Sequence, residues 1–116
     1  PNLERFYAAR RKIEHYAAAH DRVDQCRTSA LYIAFNLHSD GERARAEGWR
    51  WMERFFGQPK EKLAHFFAIF GTPAECVRLL NDYGAAGLTT VIARIASDDA
   101  REQSRMLLNE IKPQLA

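Results

Sequence analysis

Arg94, His38, Asn36 and the Gly71-Thr72 pair are the residues whose types and positions could do chemistry. All of them fall at or near the ends of short apolar segments. Parallel α/β sheets place their chemistry at the carboxyl ends of strands and in the loops that follow. The set at those places is Asn36, His38 and Ser39, then Phe70, Gly71 and Thr72, then Arg94, Ala96 and Ser97. An Arg94 aimed toward the strand ends would hold a phosphate or an anionic substrate bidentately. On the opposite strand parity it faces a helix and pairs with a carboxylate, and sequence alone leaves the parity open. His38 could be a proton donor or a substrate contact, or an ordinary solvated loop residue. Gly71-Thr72 precedes a helix start, where an anion could bind, although capping by itself accounts for both Thr72 and Ser39.

Other chemistry finds no support. His15, His20 and His65 have no Cys or acidic companion at ligand spacing, and Cys26 and Cys76 form no CxxC pair, so neither a metal site nor a disulfide framework is indicated. There is no Gly-rich dinucleotide fingerprint, no P-loop and no Ser-His-Asp arrangement. The 17 basic and 15 acidic residues are interspersed along helices, and the only basic run is Arg10-Arg11-Lys12. A nucleic-acid partner is therefore not expected. No stretch approaches the length of an apolar membrane span, and the cysteine usage fits a reduced, cytoplasmic setting.

The elements that must position these residues are legible as periodicities. A composition of 47% hydrophobic and 28% charged residues is that of one ordinary globular domain. Leu3, Phe6, Tyr7, Ile13, Tyr16 and Ala17 draw one stripe on a helix from about Leu3 to His20, with Asn2 as its cap. The almost continuously apolar Ser29 to Leu37 reads as a strand covered on both faces. Ser39-Asp40-Gly41-Glu42 reads as a capping box that opens a helix, which Gly57 and Pro59 stop. A helical turn at Glu61 to His65 and a strand at Phe66 to Phe70 follow. Thr72-Pro73-Ala74-Glu75 then caps a helix buried along Cys76, Leu79, Leu80 and Tyr83 and ended by Gly84 or Gly87. Leu88 to Ala96 reads as a third strand. Ser97 or Asp98 opens a last helix with Leu107, Leu108, Ile111 and Leu115 toward the core and Pro113 to fray or kink its end.

Three strand-helix units after a leading helix make an α/β fold with a parallel sheet. Residues 1–116 form one domain, and a partial one, because three parallel strands leave two open edges that must be covered. A chain that starts at Pro1 and enters a helix almost at once reads as beginning in the middle of something larger.

Gly71-Thr72-Pro73-Ala74-Glu75-Cys76-Val77-Arg78-Leu79-Leu80, followed by Tyr83-Gly84-Ala85-Ala86-Gly87-Leu88-Thr89-Thr90-Val91-Ile92-Ala93-Arg94, is similar to the closing portion of the bacterial-luciferase-like family of flavin-dependent monooxygenases and deazaflavin-dependent oxidoreductases. The strand from Ala30 to Leu37 with Ser39-Asp40-Gly41-Glu42-Arg43-Ala44-Arg45-Ala46 resembles that family's sixth strand and helix. The resemblance implies the last three βα units, with one leading helix, of a TIM (β/α)8 barrel. It implies FMN or coenzyme F420 as cofactor, and a small-molecule substrate in the intact barrel. Arg94, His38, Asn36, Gly71 and Thr72 would then be candidate contacts to cofactor or substrate, with Arg94 on the flavin phosphate or an anionic substrate. The amino-terminal half of such a barrel, or a second copy of the chain, is the expected partner, and this chain alone is expected to be inactive. Trp49, Trp51, Phe55, Phe56, Phe66 and Phe67 have helical and core spacing, which reads as packing rather than as a flavin box. The alternative is a non-enzymatic module that self-associates through open sheet edges and its Trp-rich helix.

Overall fold

A computed structural model describes residues 2–116; Pro1, on which the expectation about the start of the chain rests, lies outside them. Helix α1 (Asn2–Ala19) leads through a short 3-10 turn to strand β1 (Ala30–Leu37), helix α2 (Gly41–Phe56) and a second 3-10 turn. Strand β2 (Phe67–Gly71), helix α3 (Pro73–Ala85), strand β3 (Thr90–Ile95) and helix α4 (Ala100–Met106) follow. The helical path of α4 continues through a π turn at Leu107–Ile111 and a 3-10 turn at Lys112–Gln114. Lys112 N-H bonds Leu107 O there, and Pro113, with no N-H to give, ends the regular path.

The fold is α/β with a three-stranded parallel sheet in the order β2-β1-β3. Three successive units of a barrel would put β2 between β1 and β3; here β1 is central. The chain steps from β1 to β2 in one direction and returns past β1 to β3 in the other. With right-handed crossovers, such a reversal sends the two connecting helices to opposite faces. The packing agrees. Ile33, Phe35 and Leu37 of β1 join Phe6, Cys76, Leu80, Tyr83 and Ile111 on one face. Ala34 joins Met52 of α2, Leu63, Phe70 and Ala96 on the other. This alternation of β1 is what a strand buried on both sides requires.

Helix caps settle the starts of the helices. Asp40, one residue beyond Ser39, caps α2 by accepting from Glu42 N-H and Arg43 N-H. Asp99 caps α4 by accepting from Glu102 N-H, while Ser97 Oγ accepts from Asp99 N-H. Both expected caps fall one or two residues early, because Asp40 and Asp99 directly precede the first turn and their carboxylates reach its free N-H groups. Thr72 caps α3 as its sequence requires, with Pro73 in the first turn. Gly57 ends α2 in the left-handed region at φ 64°.

Two surfaces stay open. Strand β3 is exposed from Thr90 through Ala93, including Val91 and Ile92. Of the α1 stripe only Phe6 and Ala17 are buried, and Tyr7, Ile13 and Tyr16 face solvent. The radius of gyration is 15.4 Å, against about 13 Å for a compact domain of similar size. Of the last helix's expected core residues, Ile111 is buried in the π turn while Leu108 and Leu115 are exposed.

Candidate functional site

The carboxyl ends of β1 and β3 frame a crevice of about 250 Å3, walled by α2 and the loop after β3. Asn36, at the end of the central strand, is the one fully buried residue in its lining. Period-2 alternation carries Asn36 to the same side as Ala34, which packs toward α2. Its Nδ2 donates to Ala96 O at 2.8 Å, which fixes the amide orientation, and its Oδ1 has no partner. A buried acceptor left unsatisfied costs roughly 1–3 kcal/mol, so such an oxygen calls for a donor. The other walls are Glu47, Arg50, Trp51 and Arg54 of α2 and Ser97, Asp98 and Asp99 of the loop.

Most of these charges are already partnered. Arg54 pairs with Asp98 at 3.1 Å, Glu47 with Arg43 at 2.9 Å, and Asp99 is occupied by the α4 cap. Below the crevice the strand end is held by Gln103 of α4. Gln103 Oε1 accepts from Leu37 N-H at 2.7 Å and its Nε2 donates to Leu37 O at 2.9 Å. A side-chain amide thus takes the place of a neighbouring strand.

The other candidates are placed as follows. His38 N-H bonds Gly71 O at 3.1 Å, and its Nδ1 accepts from Asp40 N-H at 2.9 Å. With Nδ1 so engaged, the remaining ring nitrogen carries the proton or offers a site. Thr72 Oγ1 accepts from Glu75 N-H at 3.2 Å and donates to Glu75 Oε1 at 3.3 Å, so the carboxylate meets the cap's hydroxyl in place of the backbone N-H of a capping box. The Glu75 carboxylate also meets Arg45 at 3.3 Å and lies over Gly71, where an added Cβ would stand 2.7 Å from Oε2. That carboxylate occupies the anion position at the α3 start. A side chain at Gly71 would have to displace the end of that carboxylate.

Arg94, next to last in β3, does not line the crevice. It faces α2, with its guanidinium 5.1 Å from the Phe55 ring, 5.7 Å from Phe56 and 5.9 Å from Tyr32. The helix-facing parity holds, with aromatic rings in place of a carboxylate as partners. Arg94 borders a separate, mostly apolar cavity of about 240 Å3 lined by Tyr32, Ile33, Ala34, Phe66 and Phe67. Asn36 and Ser97 therefore share one crevice, His38, Gly71 and Thr72 group at the end of β2, and Arg94 stands apart.

Gln103, Arg50 and the Asn36 environment were not singled out by the sequence reading. The signal for Gln103 was present: it lies four residues before Leu107 and eight before Ile111, on their helical stripe, where a polar residue must find buried partners. Arg50 carried no signal, since a single Arg on a charged helix face looks like any other. Among the described residues no group of His, Cys, Asp and Glu is arranged to hold a metal, and no helix is long and apolar enough to cross a membrane. Comparison with protein-family models, with curated proteins and with solved structures finds no match.

Proposed function

We propose that this chain is the carboxyl-terminal part of a luciferase-like oxidoreductase that uses FMN or coenzyme F420, and that it lines one wall of the active-site mouth. The observation that carries the reading is that Asn36 in the crevice, and His38 with the Gly71-Thr72 turn outside it, all stand at the carboxyl ends of parallel strands, where α/β enzymes bind their ligands. The similarity of residues 30–46 and 71–94 to that family adds the cofactor class. The uncovered face and edge of β3 give further strands a place to join. In this role His38 would contact substrate through its second ring nitrogen, and Arg94 would order α2 against the sheet rather than hold a phosphate.

A flavin does not fit these residues alone. The crevice of about 250 Å3 is smaller than the roughly 300–1,000 Å3 of usual ligand and cofactor sites. The remaining walls must come from outside residues 2–116. The barrel form of the reading also needs β2 to stand between β1 and β3. The test is a fluorescence titration of the natural gene product with FMN and with F420. Saturable quenching by one of them, weakened in His38→Ala, is expected; no binding of either would end the oxidoreductase reading.

A second reading, a non-enzymatic self-associating module, is favoured by one observation: Val91, Ile92 and Tyr32 are exposed on β3 and β1, with Tyr7, Ile13 and Tyr16 exposed on α1. Sedimentation without flavin separates the two. A concentration-dependent dimer that binds no flavin would support the module.

A further inference from the structure

We propose that the open edge of β3 pairs with the same edge of a second copy of this chain, antiparallel and about a two-fold axis at Ala93, so that two sheets join into one. The inference deepens the self-associating reading and rests on it.

The backbone defines the contact. Thr90 N-H bonds Ser29 O and Ala96 N-H bonds Phe35 O, so the even-numbered residues of β3 turn their peptide groups toward β1. Alternation then turns the N-H and C=O of Val91, Ala93 and Ile95 outward, where among the described residues no strand lies. Nothing guards this edge. It has no Pro, no Lys and no bulge, the devices that keep strand edges apart. Its single charge, Arg94, is drawn over Tyr32, Phe55 and Phe56 on the α2 side. The opposite edge of the sheet differs: β2 is shorter and buried from Ile69 to Gly71, whereas β3 is exposed from Thr90 to Ala93.

A second copy fits because the edge is complementary to itself. A two-fold axis keeps like faces together, so opposed residues are both odd or both even. Centred on Ala93, it sets Ala93 opposite Ala93 and Val91 opposite Ile95, and every outward N-H meets an outward C=O. Centred on Ile92 or on Val91, the pairing calls on Thr89, whose N-H already bonds Ser29 O. Centred on Ile95, it runs into Ser97 beyond the strand. Charge agrees with the Ala93 register, which sets Arg94 opposite Ile92 and not opposite Arg94 of the second copy. It also places the strand's smallest side chain on the axis.

Val91 to Ile95 on each side make an interface at or below about 1,200 Å2, the range of transient associations, so covalent trapping is added to sedimentation. Ala93→Cys in a Cys26→Ser background places two thiols with Cα atoms about 5.5 Å apart, within the roughly 4.4–6.8 Å that a disulfide spans. Val91→Cys in the same background places them about 13 Å apart or more. The natural gene product is expected to sediment as a reversible dimer, and Ala93→Cys to form the covalent dimer about ten-fold faster than Val91→Cys under mild oxidation. Ala93→Pro, which removes an outward N-H and no bond to β1, should keep its circular dichroism and stay monomeric. A dimer that traps both thiols equally would place the contact elsewhere, so that this inference falls and self-association stands. A folded Ala93→Pro that still dimerises would have the same meaning. A monomer at every concentration, with no trapping, would overturn both. None of these outcomes depends on whether flavin binds.

Discussion

Gln103 pairs with the backbone of Leu37 through both of its amide groups, at 2.7 and 2.9 Å, and so finishes the central strand with a side chain. Both residues are buried, at 7% and 1% exposure, so water cannot replace the lost bonds. Gln103→Leu should therefore leave a buried N-H and C=O unpaired and cost about 2–4 kcal/mol. Gln103→Glu keeps the acceptor but loses the donor and sets a carboxylate against Leu37 O, so it should be at least as damaging at neutral pH. Urea unfolding measures both. A loss under about 0.5 kcal/mol for Gln103→Leu would mean that the pairing does not hold the strand end.

Two helical glycines should respond to alanine with opposite signs. A Cβ on Gly48 of α2 would stand 2.6 to 2.8 Å from three ring atoms of Phe70, and Trp49 holds that ring edge-on at 5.2 Å. Overpacking should outweigh the gain in helix propensity, so Gly48→Ala is expected to lose about 1–3 kcal/mol. Gly84 of α3 has nothing within 4 Å of its added Cβ and an ordinary helical backbone, so Gly84→Ala should gain about 0.5–1 kcal/mol. Thermal melts of the two variants beside the parent check the pair. Stabilisation by Gly48→Ala would show that α2 and β2 are not in contact at this point.

The α/β class, the parallel sheet and all four main helices were legible in the sequence, because apolar period and capping residues report local structure directly. Thr72-Pro73-Ala74-Glu75 is a clear case, since Thr72 caps the helix and Pro73 enters its first turn as their chemistry requires. Strand order was not legible. The segments β1, β2 and β3 would read the same in either order, and only long-range pairing such as Ala34 with Ala68 and Ala34 with Arg94 decides it. The same gap hid the crevice. Asn36 was visible as a strand-end residue, but its meeting with Ala96 depends on β3 lying beside β1. Arg94 was singled out for a charge that the fold covers with Tyr32, Phe55 and Phe56, residues that no local pattern ties to it.

Arg94→Ala removes a cation from three aromatic rings and a long stem from the α2 interface, so a loss of about 1–2 kcal/mol is expected. Arg94→Lys keeps the charge without the flat guanidinium and should lose less than the alanine variant but not match the parent. Chemical denaturation of the three proteins orders them. Equal stability of all three would show that the rings do not hold Arg94.

Burial pushes the Cys76 thiol up to about 12 and raises Tyr83 above its ordinary value, the latter opposed by Arg5. In both cases folding disfavours the ionised form. The Cys76 contribution is thus fully present below about pH 9, the unfolded thiol's range, and is lost as pH rises from there toward about 12. Stability should be flat below pH 9 with respect to this group and fall above it. The fall should be shallower in Cys76→Ala, which has no thiol to ionise. An alkylating reagent under native conditions should label the half-buried Cys26 and spare Cys76 until the protein unfolds. Rapid native labelling of Cys76 would contradict its burial.

Tyr32 and Ile92 are register partners on β1 and β3, and both are exposed. Adjacent strands lie about 4.8 Å apart, within the roughly 4.4–6.8 Å between Cα atoms that a disulfide spans. With β2 inserted between them, as successive barrel units require, the separation would double to about 10 Å and the bond could not close. Tyr32→Cys with Ile92→Cys, in a Cys26→Ser background, should therefore oxidise to an intramolecular disulfide, seen as loss of both new thiols without dimer formation. Closure in the natural gene product would confine the oxidoreductase reading to an open doubly wound sheet. Failure of this pair to close, with closure of a second engineered cysteine pair that joins β2 to β3, would place β2 in the middle and restore the barrel.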